Sequence, residues 1–188
     1  MITVEPVRYH AVEGTDISDQ AHVMNILKHH KPVLSSVFRS VEGDLAVDAE
    51  YPVFSPKGHF IGAVSVLYKP EHFLGEIIRP MIKGGSLDIW VMERGGRLLY
   101  DVDPQQVGLN LFTSPYFHSY KELLHLAKKI AQLPQGSGPY RFKKANLTDR
   151  DVQKKASWES VSLYGTSWRL VGIQIEPEEH AHSRHQDK

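Results

Sequence analysis

The fold of this chain is decided by residues 47–68, which read VDAEYPVFSPKGHFIGAVSVLY. Both flanks of the central SPKG are rich in β-branched and aromatic residues, which favour extended strands. In the turn at 55–58, Pro56 presets one backbone angle and Gly58 accepts a positive φ. The stretch therefore predicts an antiparallel hairpin with strands over residues 45–54 and 59–68.

A second hairpin of the same kind is predicted at residues 88–101. Its strands, over 88–92 and 97–101, flank the turn Glu93-Arg94-Gly95-Gly96. Between the two hairpins, apolar residues recur every three or four positions, which predicts a helix over 69–81. The predicted buried face of this helix consists of Phe73, Leu74, Ile77, Ile78 and Met81. Residues 83–86, rich in glycine, end the helix and mark the predicted boundary between two parts of the chain.

The remaining pattern predicts elements on both sides of the hairpins. Toward the N-terminus it predicts a strand over 1–11, a helix over 19–30 capped by Asp16 or Ser18, and a strand over 33–39. Toward the C-terminus it predicts a helix over 116–133 ended by 134–138, strands over 139–143, 154–164 and 167–175, and a loop over 144–151. Hairpin-linked strands in this order predict an antiparallel sheet with helices packed on it.

The two hairpins also carry a resemblance to a known family. Residues 52–66, PVFSPKGHFIGAVSV, resemble the closing strands of a Cache domain, which is an extracellular sensor with a PAS-like fold. Residues 88–112, DIWVMERGGRLLYDVDPQQVGLNLF, resemble the opening hairpin of the next such module. The resemblance implies an α+β fold of PAS-like antiparallel sheets with helices packed on their faces.

A domain organisation follows from the same resemblance. Residues 1–82 are expected to form a first, shortened module, and residues 85–175 a second, complete one. The polar residues 176–188 are expected to be a disordered tail. A single larger mixed domain is the alternative.

The function that the resemblance implies is ligand sensing. We expect an extracytoplasmic sensor domain of a signal-transduction protein, in the periplasm or at the cell surface, that recognises a small metabolite such as an organic acid or an amino acid. Membrane contact is expected only through segments outside this chain, and a cytoplasmic location is left open. The alternative is a ligand-free PAS-like interaction or dimerisation domain, for which a homodimer is the expected form.

Composition excludes several other classes of function. The 22 basic and 22 acidic residues give a formal net charge of zero, which argues against binding to a nucleic-acid backbone. The absence of cysteine excludes disulfides and thiolate chemistry. The sequence shows no signal peptide and no apolar run long enough for a membrane helix, and we expect no cofactor. No catalytic constellation can be assembled from spacing, so the chain is predicted not to be an enzyme, and acid–base chemistry at Asp101 or His118 ranks last.

Two sequence patterns bear on metal binding. Asp101 and Asp103 begin like a calcium loop, but the pattern fails at Gln106 and Phe112, where that loop needs glycine and glutamate. The cluster His180, His182 and His185 lies in the polar tail, where no predicted element fixes ligand geometry. No metal site is therefore predicted.

Candidate ligand-binding residues lie mainly in the second predicted module. A PAS-like fold brings its hairpin, main helix and return strands around a pocket, and aromatic walls with a few polar groups suit a small ligand. The predicted ligand-binding residues are Tyr100, Asp101, Tyr116, Tyr120, Tyr140, Phe142, Trp158 and Arg169. In the first module, Asp48 and Glu50 share one face of their strand, and Arg8 with Tyr9 would suit a carboxylate.

Overall fold

The computed structural model describes residues 1, 3–84, 87–144 and 147–176. Residues 85 and 86 of the predicted boundary, and all of the predicted tail beyond residue 176, lie outside this range. Among the described residues, no helix is long and apolar enough to cross a membrane.

A four-stranded sheet forms around the first predicted hairpin. Strands β1 (Val33–Leu34) and β2 (Phe38–Arg39) both pair with one side of β3 (Leu45–Phe54), and β4 (Phe60–Tyr68) pairs with the other. The predicted hairpin and its turn are confirmed. The strand predicted over 33–39 is divided in two, because the N–H of Val37 donates to the Glu93 carboxylate (2.8 Å) instead of to β3.

The N-terminal prediction is right for the helix and wrong for the strand. A 3-10 helix over Val7–Val12 replaces the strand predicted over 1–11. Pro6 has no N–H to give a sheet, and its carbonyl accepts from Tyr9 N–H instead (2.9 Å). The predicted helix is present as α1 (Ala21–His29), but its N-terminus has no side-chain cap, because the Asp16 carboxylate accepts from Ser18 N–H in a local turn.

A five-stranded antiparallel sheet forms the second half of the structure. Its strands are β5 (Leu87–Glu93), β6 (Leu98–Tyr100), β7 (Gln135–Lys144), β8 (Leu147–Leu163) and β9 (Thr166–Ile175), in the spatial order β6-β5-β9-β8-β7. The second predicted hairpin is confirmed as β5 and β6. Antiparallel sheets with packed helices confirm the predicted fold class.

Two segments predicted as irregular belong to strands. Residues 135–138, predicted as a helix-ending break, begin β7, and residues 147–151, predicted as a loop, begin β8. Pairing across the sheet overrides local composition here: Gly136 lies opposite Trp158, and Lys143 opposite Asp151. Glycine is required at 136, because a Cβ there would lie 2.4 Å from the Trp158 ring.

One of the two longer helices buries less apolar surface than predicted. Helix α2 (Pro70–Ile82) buries Leu74 and Ile78, whereas Phe73, Ile77 and Met81 of its predicted buried face are exposed. Helix α3 (Lys121–Gln132) begins after a short 3-10 helix at Pro115–Phe117, so the helix predicted from residue 116 is two elements. The buried side chains of α3 are those predicted: Leu123, Leu126, Ala127 and Ile130, with Tyr120 and Leu124 half-buried beside them.

Strand β5 of the five-stranded sheet is buried on both faces. On one face, Trp90 and Met92 of β5 pack in a core with α3. On the other, Ile89 and Val91 pack against Val47 of the first sheet and against α2. The first sheet and α2 therefore form one core with β5. The elements on the α3 side of the five-stranded sheet form a second, separate core.

We predict that Gly96→Ala destabilises the chain strongly. Gly96 has φ +89°, which an L-side chain adopts at a cost, and a Cβ there would lie 2.5 Å from the half-buried Phe112 ring. The expected loss in free energy of unfolding is roughly 2–4 kcal/mol, measured by urea denaturation. Gly95→Ala is the matched control, since a Cβ at that position would have nothing within 4 Å and the change should be nearly neutral. Equal losses for both variants would contradict the prediction.

Candidate functional site

A cavity of about 170 Å³ lies between the five-stranded sheet and the elements that cover its α3 face. Its apolar wall is formed chiefly by Trp90, Leu98, Leu111, Tyr116, Tyr140 and Phe142. Its polar groups are Asp88, Asp101, Asp103, Gln105, Gln106, Lys143 and Lys154. This mixture of aromatic surface and a few charged groups is typical of a site for a small molecule.

The acidic side of the cavity is built by the loop that follows β6. The N–H of Asp103 donates to the Asp101 carboxylate (2.8 Å), and the N–H of Gln105 donates to the Asp103 carboxylate (3.0 Å). The side-chain amide of Gln106 donates to the other Asp103 oxygen (3.0 Å). Asp103 therefore serves the loop itself, whereas only one oxygen of Asp101 takes part in these bonds.

Burial perturbs the charged groups of the cavity. Desolvation raises the pKa of Asp101 to about 7, although the hydrogen bond from Asp103 N–H works in the opposite direction. Desolvation lowers the pKa of Lys154, which is 6% exposed, while the nearby Asp88 and Asp101 partly offset that shift. The cavity thus holds carboxylates and an ammonium group that water solvates poorly, so a charged ligand group would be strongly favoured there.

The aromatic wall is fixed by specific contacts. Tyr140 is 1% exposed, and burial raises the pKa of its phenol, although the neighbouring Trp90 side chain acts in the opposite direction. Lys154 Nζ lies 5.4 Å from the centre of the Phe142 ring. At the rim, Lys143 Nζ lies 4.9 Å from the centre of the Tyr116 ring. These rings are held rigidly enough to give the cavity a defined shape.

The structure brings together about half of the predicted ligand-binding residues. Asp101, Tyr116, Tyr140 and Phe142 line the cavity, and Tyr120 packs behind Phe142 with ring centres 4.6 Å apart. Their role in binding stays a prediction.

The other three predicted residues lie elsewhere. Tyr100 is buried on the opposite face of the sheet, because β6 turns its side chain toward the first sheet. The Trp158 indole N–H donates to the Leu133 carbonyl (3.2 Å) below the end of α3. Arg169 Nε donates to the Ile130 carbonyl (2.8 Å), so this guanidinium satisfies the C-terminus of α3 and does not face the cavity.

Lys154 is the main cavity residue that sequence reasoning missed. Residues 154, 156 and 158 are all buried, whereas 155, 157 and 159 are exposed. Side chains of a strand alternate between its faces, so the burial expected for Ala156 and Trp158 could have placed Lys154 inward. Asp88 and Trp90 carry no comparable signal, because β5 is buried on both faces.

A second polar cluster lies between α1 and the first sheet. His22, Asp48 and Glu50 are all buried, and His22 Nε2 lies 3.6 Å from an Asp48 carboxylate oxygen. The Ser65 hydroxyl lies 2.6 Å from each Asp48 oxygen. Desolvation, and then the charge of Asp48, raise the pKa of Glu50 to about 7. The prediction that Asp48 and Glu50 share a face is confirmed, whereas Arg8 is exposed and stacks on Tyr9 (4.8 Å).

Comparison with known proteins connects this fold to sensor domains. Residues 1–70 match the family model described as HK/GC/chemotaxis protein-like, sensor domain. No curated protein sequence matches the chain. An extracellular ligand binding receptor from Desulfohalobium retbaense is similar in structure, with a TM-score of 0.72 and 34% sequence identity. That similarity covers 92% of this chain and 28% of the receptor.

Two chemoreceptor domains share the fold at lower identity. The ligand binding domain of the Pseudomonas aeruginosa amino acid chemoreceptor PctB, in complex with L-Arg, has a TM-score of 0.58 at 16% identity, over 89% of this chain and 64% of that domain. The periplasmic sensory domain of the Campylobacter jejuni chemoreceptor Tlp1 has a TM-score of 0.55 at 16% identity, over 85% of this chain and 56% of that domain. The chain therefore has the fold of such sensor domains and spans less than two thirds of each of these structures.

We predict that Arg169→Gln destabilises the chain by roughly 2–4 kcal/mol, because it leaves the last carbonyls of α3 buried without their donor. Thermal unfolding followed by circular dichroism measures the effect. Arg141→Gln is the control, since Arg141 is exposed on β7. An unchanged midpoint for Arg169→Gln would show that the hydrogen bond to the Ile130 carbonyl contributes little to stability.

We predict that Asp101→Asn stabilises the chain by an amount that grows as the pH rises between the unfolded and folded pKa values of Asp101 and is largest at alkaline pH. The pKa of Asp101 is about 7 in the folded chain and near 3.8 ordinarily, so the folded state holds a proton that the unfolded state has released between these values. Stability is therefore lost as pH rises through that window, and asparagine avoids the loss while still accepting from Asp103 N–H. The expected gain at pH 8 is roughly 1–3 kcal/mol, vanishing near pH 4.

The exposed Asp19→Asn is the control for this pH profile. Denaturant unfolding at pH 4, 6 and 8 gives the three free energies. A gain for Asp101→Asn that is the same at pH 4 and pH 8 would show that ionisation of Asp101 is not its cause.

Proposed function

We propose that this chain is part of an extracytoplasmic Cache-type sensor domain of a signal-transduction protein, and that it binds a small metabolite in the cavity beside α3. The observation that carries the proposal is the aromatic cavity that holds Asp101 and Lys154 out of water. The sensor-domain match over residues 1–70 and the shared fold support the same assignment.

The dimensions of the cavity limit the size of the ligand. A cavity of about 150 Å³ holds benzene in another protein, so 170 Å³ suits a molecule of roughly six to ten heavy atoms. Pockets for drug-sized ligands have volumes of about 300 Å³ or more. A single amino acid or a short amine fits this range, and a nucleotide does not.

The charges of the cavity favour a ligand that carries an amino group. An ammonium group beside Asp101 would hold that carboxylate ionised, and a ligand carboxylate beside Lys154 would hold that amine protonated. A zwitterion satisfies both groups at once. We therefore place amino acids first among the ligand classes, which agrees in kind with the L-Arg bound to the similar Pseudomonas chemoreceptor domain.

The signal would travel through the sheet that forms the floor of the cavity. Trp90 faces the cavity, and its neighbours Ile89 and Val91 on β5 contact the core shared with the first sheet. A ligand that shifts β5 would therefore change how the two sheets pack. We also propose that residues 1–82 and 85–175 are two separate modules of this sensor domain.

The second candidate is a ligand-free domain that associates with another copy of itself. Within the described residues, β4 pairs with β3 on one side and with no strand on the other. Ile61, Val64 and Val66 of β4 are 64%, 59% and 59% exposed. Antiparallel pairing of β4 with its counterpart in a second copy would satisfy the free backbone groups of both edges.

We predict that an amino acid raises the melting temperature of the chain by several degrees in a thermal-shift screen that also contains organic acids, amines and purines. A ligand at one hundred times its dissociation constant adds about 2.7 kcal/mol to stability. Asp101→Asn and Tyr116→Ala should each weaken binding about tenfold or more, as measured by calorimetry. Tyr100→Phe, on the other face of the sheet, is the control and should bind as the unaltered chain does.

The results distinguish the two candidates. A shift that survives Asp101→Asn and Tyr116→Ala would move the ligand out of this cavity. The absence of a shift with every compound class, together with a concentration-dependent dimer in sedimentation, would favour the ligand-free domain.

A further inference from the structure

We propose that His22, Asp48 and Glu50 form a binding site for a divalent transition-metal ion, with Zn²⁺ as the best match. This site is separate from the cavity beside α3 and does not depend on the proposed function. The sequence predicted no metal site, because the three residues come together only when α1 folds over β3.

The geometry of the cluster suits a metal. One ligand atom from each residue can be chosen so that all three lie within 4.8 Å of one another. Ligands about 2.1 Å from a tetrahedral ion lie about 3.4 Å apart, so His22 Nε2 and the nearest Asp48 oxygen, at 3.6 Å, are already at ligand spacing. Binding of the ion would draw the Glu50 carboxylate oxygen, which lies within 4.8 Å of both other ligand atoms, to the same spacing. Solvent or another group would complete the coordination.

Unsatisfied polar atoms are the second, independent observation. His22 is 8% and Glu50 is 5% exposed. In the part of the chain that the structure describes, His22 Nε2 and Glu50 Oε2 are buried and have no hydrogen-bond partner. A buried polar atom without a partner costs about 1–3 kcal/mol, so native structures seldom contain two beside each other. A single metal ion satisfies both.

Neighbouring groups hold the three ligands in place. Ser65 Oγ contacts both Asp48 oxygens and so fixes the orientation of that carboxylate. The Phe38 ring packs against the His22 ring with centres 4.4 Å apart. Such support reduces the entropy that the ligands lose when a metal binds.

A simple ion pair explains the cluster less well. A protonated His22 would balance Asp48 but would leave Glu50 Oε2 buried without a partner. Glu42 and Tyr68 are the other titratable groups coupled to Asp48, and neither brings a positive charge. One nitrogen and two carboxylate ligands favour Zn²⁺ or Mn²⁺ over Ca²⁺ and Mg²⁺, which prefer oxygen alone.

The test must separate this site from the other histidines, since the sequence contains 11. We would therefore use the full chain with His180, His182 and His185 replaced by glutamine as the background. Zn²⁺ is titrated into this background by calorimetry, and Co²⁺ is titrated with its visible absorption recorded. We expect one equivalent to bind, with a Co²⁺ absorption band typical of a low-coordinate site.

Two variants and a control locate the ion. His22→Gln and Glu50→Gln should each weaken Zn²⁺ binding about tenfold or more. His29→Gln is the matched control, because His29 lies on the same helix, is exposed and, among the residues that the structure describes, bonds only to Asn25. It should bind Zn²⁺ as the background does. Circular dichroism shows which variants fold.

Should His22→Gln fail to fold, Glu50→Gln and the Co²⁺ spectrum still decide the question. Absence of Zn²⁺ binding by the background, or equal affinity in Glu50→Gln, would overturn the proposal. Asp101→Asn should leave Zn²⁺ binding unchanged, so failure of the metal site and failure of the proposed ligand cavity can be told apart.

Discussion

The rest of the structure depends on the burial of β5 on both faces. This strand lies between β6 and β9, and its successive side chains enter two different cores: Trp90 and Met92 face α3, while Ile89 and Val91 face the first sheet. A strand buried on both faces must have both sides covered, so neither α3 nor the first sheet can be removed without exposing it. The five-stranded sheet therefore depends on the first sheet to cover one face of β5.

The same constraint explains which parts of the fold can be predicted from sequence. The hairpin at β3 and β4 and the hairpin at β5 and β6 have local causes, namely the turn residues at 55–58 and 93–96, and both predictions are confirmed. Residues 135–138 form a strand because they pair with β8, and residues 147–151 do so because they pair with β7. Both partners are distant from the local sequence pattern on which the prediction depends. Local composition carries little information about such pairing, which explains why turn-rich and polar segments predict loops there.

The residues of the two candidate sites also differ in whether local sequence predicts their placement. The inward orientation of Tyr140 and Phe142 is predictable, since a PAS-like arrangement turns alternate residues of a return strand toward the helix. Tyr100 lies outside the cavity because β6 turns this position toward the other core, a detail that the irregular register between β5 and β6 controls. The cluster under α1 is beyond sequence reasoning, because nothing in a nine-residue helix indicates that His22 will meet Asp48 and Glu50.

The two polar clusters share a physical feature that bears on sensing. Each holds a carboxyl group, Asp101 or Glu50, whose pKa burial raises to about 7, so neither carboxylate is well compensated by the folded chain itself. Interactions that a protein leaves unsatisfied lower its stability, and a ligand that satisfies them recovers that free energy on binding. Such a ligand acts on the packing around it, because the gain is available only when the neighbouring elements are in place. Asp101 directly follows β6, and Glu50 lies on β3. Both clusters are therefore next to elements that pack against the sheets. Occupation of either one would therefore bias the arrangement of the elements that enclose β5, which is the property a sensor domain needs.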